Sequence, residues 1–326
     1  MSDITSFSQP PQPQTTNGSY RRVGFELEFS SLDVASTAEA VARALNGSAY
    51  AKSAAKWLVD TELGEFKVEI DWQFLQRIAA EQGEKAYDEA WLDSLSQAAS
   101  IVVPVEVICP PIAVNALDSL DALVSELRQA GAKGTDESII AAYGTHINPE
   151  LPNLEAATIA AYMQAYAVLQ WWLVEQHHVN TSRKLSPYID LYPEHYVRQI
   201  LQYDKVTITQ LIDDYLSANP SRNRALDMLP LFSHLDEQRV ANVIADGKVN
   251  VRPTLHYRLP NCRIDDMRWS LADEWRIYCT IERLVQRPKA LAELCAAFLA
   301  ADRPMLGVAR QPWVEHVSKW LKENLA

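Results

Sequence analysis

The chain has 326 residues, 48% of them hydrophobic, enough to bury a large core as one domain or two closely integrated ones. Its net charge of −12 and pI near 5.1 leave no electrostatic footprint for nucleic acid, and no basic amphipathic segment suggests a membrane surface. A small-molecule partner is the default.

In chain order, residues 1–19 are rich in Ser, Gln, Pro and Thr, lack the apolar core of a signal peptide and read as a disordered tail of a cytoplasmic protein. Val23 to Phe29 then alternates strictly, with Val23, Phe25, Leu27 and Phe29 on one side and Gly24, Glu26 and Glu28 on the other. That is a strand with one dry face and one carboxylate face. Residues two apart on a strand project to the same side about 7 Å apart, so Glu26 and Glu28 form an anionic pair that no Lys or Arg separates. A divalent cation with oxygen ligands would neutralise it. The simpler reading, two solvated glutamates on a wet sheet face, has to be weighed against what recurs downstream.

Ser36 or Thr37 can cap a short helix that stops at Asn46-Gly47. Residues 57–60 and 66–71 read as a strand pair, the second setting Phe66, Val68 and Ile70 against Lys67, Glu69 and Asp71. Residues 73–100 read as helical with a break at Gly83. A strand over 102–108 carries Glu106 on its polar side and ends at Pro110-Pro111. Asp118 to Gln129 forms an amphipathic helix that stops at Gly131. A strand over 139–148 lines up Gly144, His146 and Asn148, and residues 154–178 form a helix apolar nearly all round, hence buried. Its terminal His177-His178 reads as a complement to the helix dipole rather than a metal pair, and Trp171, Trp172 and Trp269 read as core. Several short helices fill 193–245. A strand over 249–260 aligns Arg252, Thr254, His256 and Arg258, and two or three helices follow Arg268.

The early strands thus supply acids and the late one bases, as a site for metal ions and an anionic nucleotide requires. Neither GxxxxGK[ST] nor GxGxxG occurs, so side chains and metal would have to hold any nucleotide. HExxH and GxSxG are absent too, which disfavours zinc proteases and serine hydrolases. Cys109, Cys262, Cys279 and Cys295 are widely spaced, as expected of reduced core residues. Strands appearing singly or in pairs among helices imply an α+β fold: an antiparallel sheet with helices on the dry face and a polar face forming the site.

Arg22-Val-Gly-Phe-Glu-Leu-Glu-Phe29, Pro104-Val-Glu-Val-Ile-Cys-Pro-Pro-Ile112, Gly144-Thr-His-Ile-Asn148 and the late arginine-bearing strand together resemble the amidoligase family, within the glutamine synthetase and glutamate–cysteine ligase superfamily. The resemblance covers roughly residues 21 to 285. It implies a glutamine-synthetase-like catalytic fold on a curved antiparallel sheet, spanning residues 20–326 with a helical insertion at about 150–245. It also implies an ATP- and Mg²⁺-dependent ligase that joins a carboxylate to an amine through an acyl phosphate, with small-molecule or peptide substrates. Matched residue by residue, Glu26, Glu28, Glu106 and His146 would be metal ligands, and His146, Asn148 and Arg258 would face the nucleotide. Arg258, with Arg252 and His256 on the same strand, would be catalytic.

Where the superfamily commonly has Glu-x-Arg, this chain has His256-Tyr-Arg258, which puts a metal carboxylate there in question. Glu69 and Asp71 are weaker candidates for substrate contact, since either can pair with Lys67 or solvent. Arg222 or Arg224 can hold a substrate carboxylate, against the simpler reading of solvated arginines at a helix start. A metal-dependent phosphotransferase or hydrolase, and a non-catalytic binding relative, are the alternatives. Substrate identity, reaction direction and oligomeric state are not legible.

Overall fold

The computed structural model describes residues 6–70, 104–135, 143–185, 189–244, 249–303 and 305–325. The expected helix over 73–100, Asp71 and the first part of the expected strand over 139–148 lie outside these.

The described strands form one antiparallel sheet in the order β2-β3-β4-β5-β1-β7-β9-β8, with β6 also on β1. They are β1 (Arg22–Phe29), β2 (Ser48–Ser53), β3 (Lys56–Thr61), β4 (Gly64–Ile70), β5 (Val105–Ile108), β6 (Ile112–Ala113), β7 (Thr145–Pro149), β8 (Leu226–Asp227) and β9 (His256–Tyr257). β1 lies in the middle because its alternation suits it: Phe25, Leu27 and Phe29 are fully buried on one face. Pro110 and Pro111 interrupt the β5 line, and β6 resumes pairing beside Arg22 and Val23.

The dry face is covered by helices. α1 (Val34–Leu45) packs on β3 and on α2 (Leu120–Ala130). Its cap is Asp33, whose side chain accepts from the Ser36 amide, rather than Ser36 or Thr37. Asn46 and Gly131, both left-handed, end α1 and α2 where expected. The long α3 (Ala156–Gln176) is buried along most of its length because other helices surround it: α5 (Glu194–Leu201), α6 (Ile208–Ala218), α9 (Leu271–Val285), α10 (Pro288–Ala301) and α11 (Arg310–Asn324). Short helices α4 (Thr181–Leu185), α7 (Leu229–Leu235) and α8 (Glu237–Ala241) complete the set. No described helix is long and apolar enough to cross a membrane.

Three expectations need correction. Residues 6–19 are not a free tail: Phe7 is buried edge-on to Phe25, Trp275 donates to the Ser8 carbonyl, and Arg21 donates to the Gln12 carbonyl. The late strand shrinks from 249–260 to His256–Tyr257, since Pro253 and Pro260 lack the amides a ladder needs. Its flanks keep only isolated bridges, Glu150 to Thr254 and Gly144 to Asn261. Residues 222–225 are not a helix start: they form a bent segment with Arg224 in an isolated bridge. They run beside Asp190 and lead into β8, an edge strand hidden inside a stretch that reads as helical.

Candidate functional site

Antiparallel register assembles the site on the polar face of the sheet. Glu28 on β1 lies opposite Glu106 on β5, which lies opposite Glu69 on β4. Glu26 lies opposite His146 on β7, Gly24 opposite Asn148, and His256 on β9 opposite Asp227 on β8. Residues far apart in sequence thus converge because each strand alternates and neighbouring strands stay in phase.

Glu26 is the hub. Its carboxylate accepts from Asn148 Nδ2 at 2.8 Å and Arg252 Nη2 at 3.1 Å, and lies 2.8 Å from His146 Nδ1 and 3.6 Å from His256 Nε2. Burial opposes its ionisation, but His256, His146 and Arg252 hold its pKa well below the ordinary carboxylate value. Arg252 also donates to Asn148 Oδ1 at 2.8 Å. Glu28 accepts from the Gly144 amide at 2.6 Å and lies 3.5 Å from His146 Nε2.

His256 is buried, and burial together with the Arg258 charge pushes its pKa down to about 4, so the imidazole is neutral near pH 7. Its Nδ1 lies 3.2 Å from Arg258 Nη2 and 3.7 Å from Asp227 Oδ2. Burial alone would raise the Asp227 carboxyl, but His256 and Arg258 hold it below its usual value. Arg258 Nη2 is 3.4 Å from the same Asp227 oxygen.

Two groups of side chains could each hold a metal ion, with one ligand atom from every member within 4.8 Å of the others: Glu26, His146 and His256, and Glu28, Glu106 and His146. The residues fit a cation on structural grounds. His256 Nε2 is buried with no hydrogen-bond partner among the described residues, as are the Nε atoms of Arg252 and Arg258. An unpartnered imidazole nitrogen beside a carboxylate suits a cation, and spare guanidinium donors suit an anion such as a phosphate.

The structure therefore gathers Glu26, Glu28, Glu106, His146, Asn148, Arg252, His256 and Arg258 on one face. Glu69 belongs to neither cluster and pairs instead with Lys56 at 2.8 Å, not with Lys67. Arg224 donates to the Leu191 carbonyl at 3.0 Å and lies 3.8 Å from Asp190; Arg222 is half-buried in the same segment. His177 is the C-cap of α3 and is buried, with Nε2 2.7 Å from Tyr257 Oη and Nδ1 bonded to Glu274; it belongs to neither cation-binding group. Trp269, which donates to Glu274, and Trp171 are core, and the four cysteines are free and buried.

Two residues were invisible to sequence reading. Asp227 lies in the two-residue strand β8. Arg183 lies in the five-residue α4 and is buried, donating at 2.7 Å to the carbonyls of Arg258, Leu259 and Pro260. Burial lowers its pKa to about 10, while Glu28 nearby favours its charge.

Fold and site define an open antiparallel sheet presenting carboxylates, histidines and arginines from one face, with helices packed around it. A family model described as "Putative amidoligase enzyme" matches residues 19–280, and the chain belongs to that family. Neither the curated proteins nor the solved structures contain a match.

Proposed function

We propose that the chain is an ATP- and Mg²⁺-dependent ligase that joins a carboxylate to an amine by way of an acyl phosphate. The observation that carries this reading is the gathering of three glutamates, two histidines and two arginines on one sheet face. Phosphoryl transfer asks mainly for positioning and charge neutralisation, which such a set supplies. It needs no protein nucleophile. The thiols near the glutamates are poorly suited to be one: burial pushes the Cys109 thiol up and the Cys262 thiol up to about 12.

In this reading Glu26, Glu28, Glu106 and His146 would hold divalent cation, with Mg²⁺ at the carboxylate-rich end formed by Glu28 and Glu106, where it would neutralise phosphate charge. Arg258 and Arg252 supply donors to the phosphoryl oxygens as charge shifts to the leaving group. Asn148 fixes the Glu26 carboxylate and Arg252 together. Asp227 orients Arg258, and Arg183 fixes the carbonyls of 258–260 that carry it. The substrate acid and amine would be small molecules or peptides.

The test is calorimetric titration of a non-hydrolysable ATP analogue with and without Mg²⁺, on the wild type and Glu28→Gln, followed by a screen for ADP release. The reading expects Mg²⁺-dependent binding that the variant loses, and ADP release only when an acid and an amine are both present. ADP release with water alone would replace it with a hydrolase.

A further inference from the structure

The two cation-binding groups differ in chemistry. Glu28, Glu106 and His146 offer mainly carboxylate oxygen, whereas Glu26, His146 and His256 offer two imidazoles and one carboxylate. Mg²⁺ is small, keeps its waters and favours oxygen donors. Imidazole nitrogen suits borderline ions such as Zn²⁺ and Co²⁺, with affinity rising along the Irving–Williams order from the harder Mn²⁺.

His256 adds a second, independent indication. It is 5% exposed, and its Nε2 faces Glu26 Oε2 at 3.6 Å without a hydrogen-bond partner among the described residues. A histidine that ligates through Nε2 needs an acceptor for the proton on Nδ1, and metal-bound histidines commonly find a carboxylate there. Asp227 Oδ2, 3.7 Å from Nδ1, is that carboxylate. Arg258 Nη2, a donor 3.2 Å from Nδ1, favours the tautomer with the proton on Nε2 when no cation is present. Loading a cation moves that proton to Nδ1, where Asp227 accepts it and Arg258 keeps Asp227 as its partner.

We propose that Glu26, His146 and His256 form a nitrogen-rich cation position selective for a borderline divalent transition ion over Mg²⁺, with Asp227 orienting His256. The position rests on the same sheet face as the ligase reading and specifies the kind of ion one part of it takes. Glu28 and Glu106 keep the oxygen-rich position for Mg²⁺.

The test is equilibrium binding of Mg²⁺, Mn²⁺ and Zn²⁺ to the full chain by calorimetry. The absorption of bound Co²⁺ serves as a second readout, because it responds to nitrogen ligation. Wild type, His256→Glu and His256→Ala are compared, with circular dichroism to confirm folding. The wild type is expected to hold Zn²⁺ at one site at least about 100-fold more tightly than Mg²⁺. His256→Glu is expected to lose tenfold or more in Zn²⁺ affinity, to gain in Mg²⁺ affinity and to change the Co²⁺ spectrum. His256→Ala should lose Zn²⁺ affinity with no gain for Mg²⁺. Asp227→Asn should weaken Zn²⁺ binding by roughly 10–100-fold, the range of outer-sphere partners.

Zn²⁺ affinity and Co²⁺ spectrum unchanged in both His256 variants would overturn the proposal, as would a wild type that binds Mg²⁺ and Zn²⁺ equally. Titrating the ATP analogue with Mg²⁺ in parallel separates the two readings. Nucleotide binding with no effect of His256 on metal choice removes this proposal and leaves the ligase. Selective Zn²⁺ binding without nucleotide binding does the reverse.

Discussion

Gly144 and Arg183 compete for one space: a Cβ on Gly144 would lie 2.7 Å from Arg183 Nη2 and 3.2 Å from His146 Nε2. The absent side chain lets a buried guanidinium reach the carbonyls of residues 258–260 beneath the site. Gly144→Ala is therefore expected to destabilise by about 1–3 kcal/mol, the usual cost of overpacking. At Gly24 an added Cβ would meet Asn148 and the Cys109 carbonyl only at 3.6–3.7 Å, ordinary contact. Gly24→Ala should stay within about 0.5 kcal/mol of the wild type. Urea unfolding of both variants checks this, and equal losses would contradict the role given to Arg183.

Arg258 offers a kinetic contrast. Under the ligase reading its guanidinium meets charge that develops during phosphoryl transfer, so Arg258→Lys should lower kcat by about 100-fold or more and change nucleotide affinity far less. Lysine keeps the charge but loses the planar fork that reaches both Asp227 and a phosphoryl oxygen. Steady-state kinetics with the acid and amine found by the ADP screen would show it; a fall in affinity with kcat intact would assign Arg258 to ground-state binding.

The strands that build most of the site were legible because they are long enough to alternate. β1, β4, β5 and β7 each show apolar and polar residues in turn, and Glu26, Glu28, Glu106, His146 and Asn148 follow from that pattern. β2 escaped because Ser48–Ser53 is an exposed-to-half-buried edge with no apolar stripe. β8 escaped because two residues cannot show a period, and with it Asp227. Arg183 had no local signature: its partners are backbone carbonyls more than 70 positions away, set by tertiary structure alone. The partners of His177 were hidden for the same reason, since Glu274 and Tyr257 reach it only in the fold.

A buried ion pair ties the start of β1 to α9. Arg21 (1% exposed) and Glu282 (0% exposed) form two parallel bonds of 2.7 and 2.9 Å, and Tyr162 at 2.5 Å and Tyr278 at 3.2 Å donate to the same carboxylate. Glu282→Gln leaves the guanidinium buried without a counter-charge and is expected to cost about 3–5 kcal/mol. Replacing both partners, Arg21→Met with Glu282→Leu, should cost much less than the single change, because no lone charge remains. A double-mutant cycle from urea unfolding measures the coupling.

The N-terminal segment gives a test at the surface of the same core. Phe7 is 7% exposed, its ring centroid 6.0 Å from that of Phe25 on β1, and its amide donates to Asp118 Oδ1 at 2.8 Å just ahead of α2. Phe25 in turn lies edge-on to Trp275 of α9, whose indole donates to the Ser8 carbonyl at 2.7 Å. The segment thus covers the dry side of β1, directly behind Glu26, and joins it to two helices. Phe7→Ala should cost about 3 kcal/mol, the low end for a buried phenylalanine at a periphery that can partly relax. Removing residues 1–9 should cost at least as much, since Trp275 also loses its acceptor. Thermal denaturation of the two variants checks both values. A truncated chain as stable as the wild type would show that β1 and α9 close over the gap unaided.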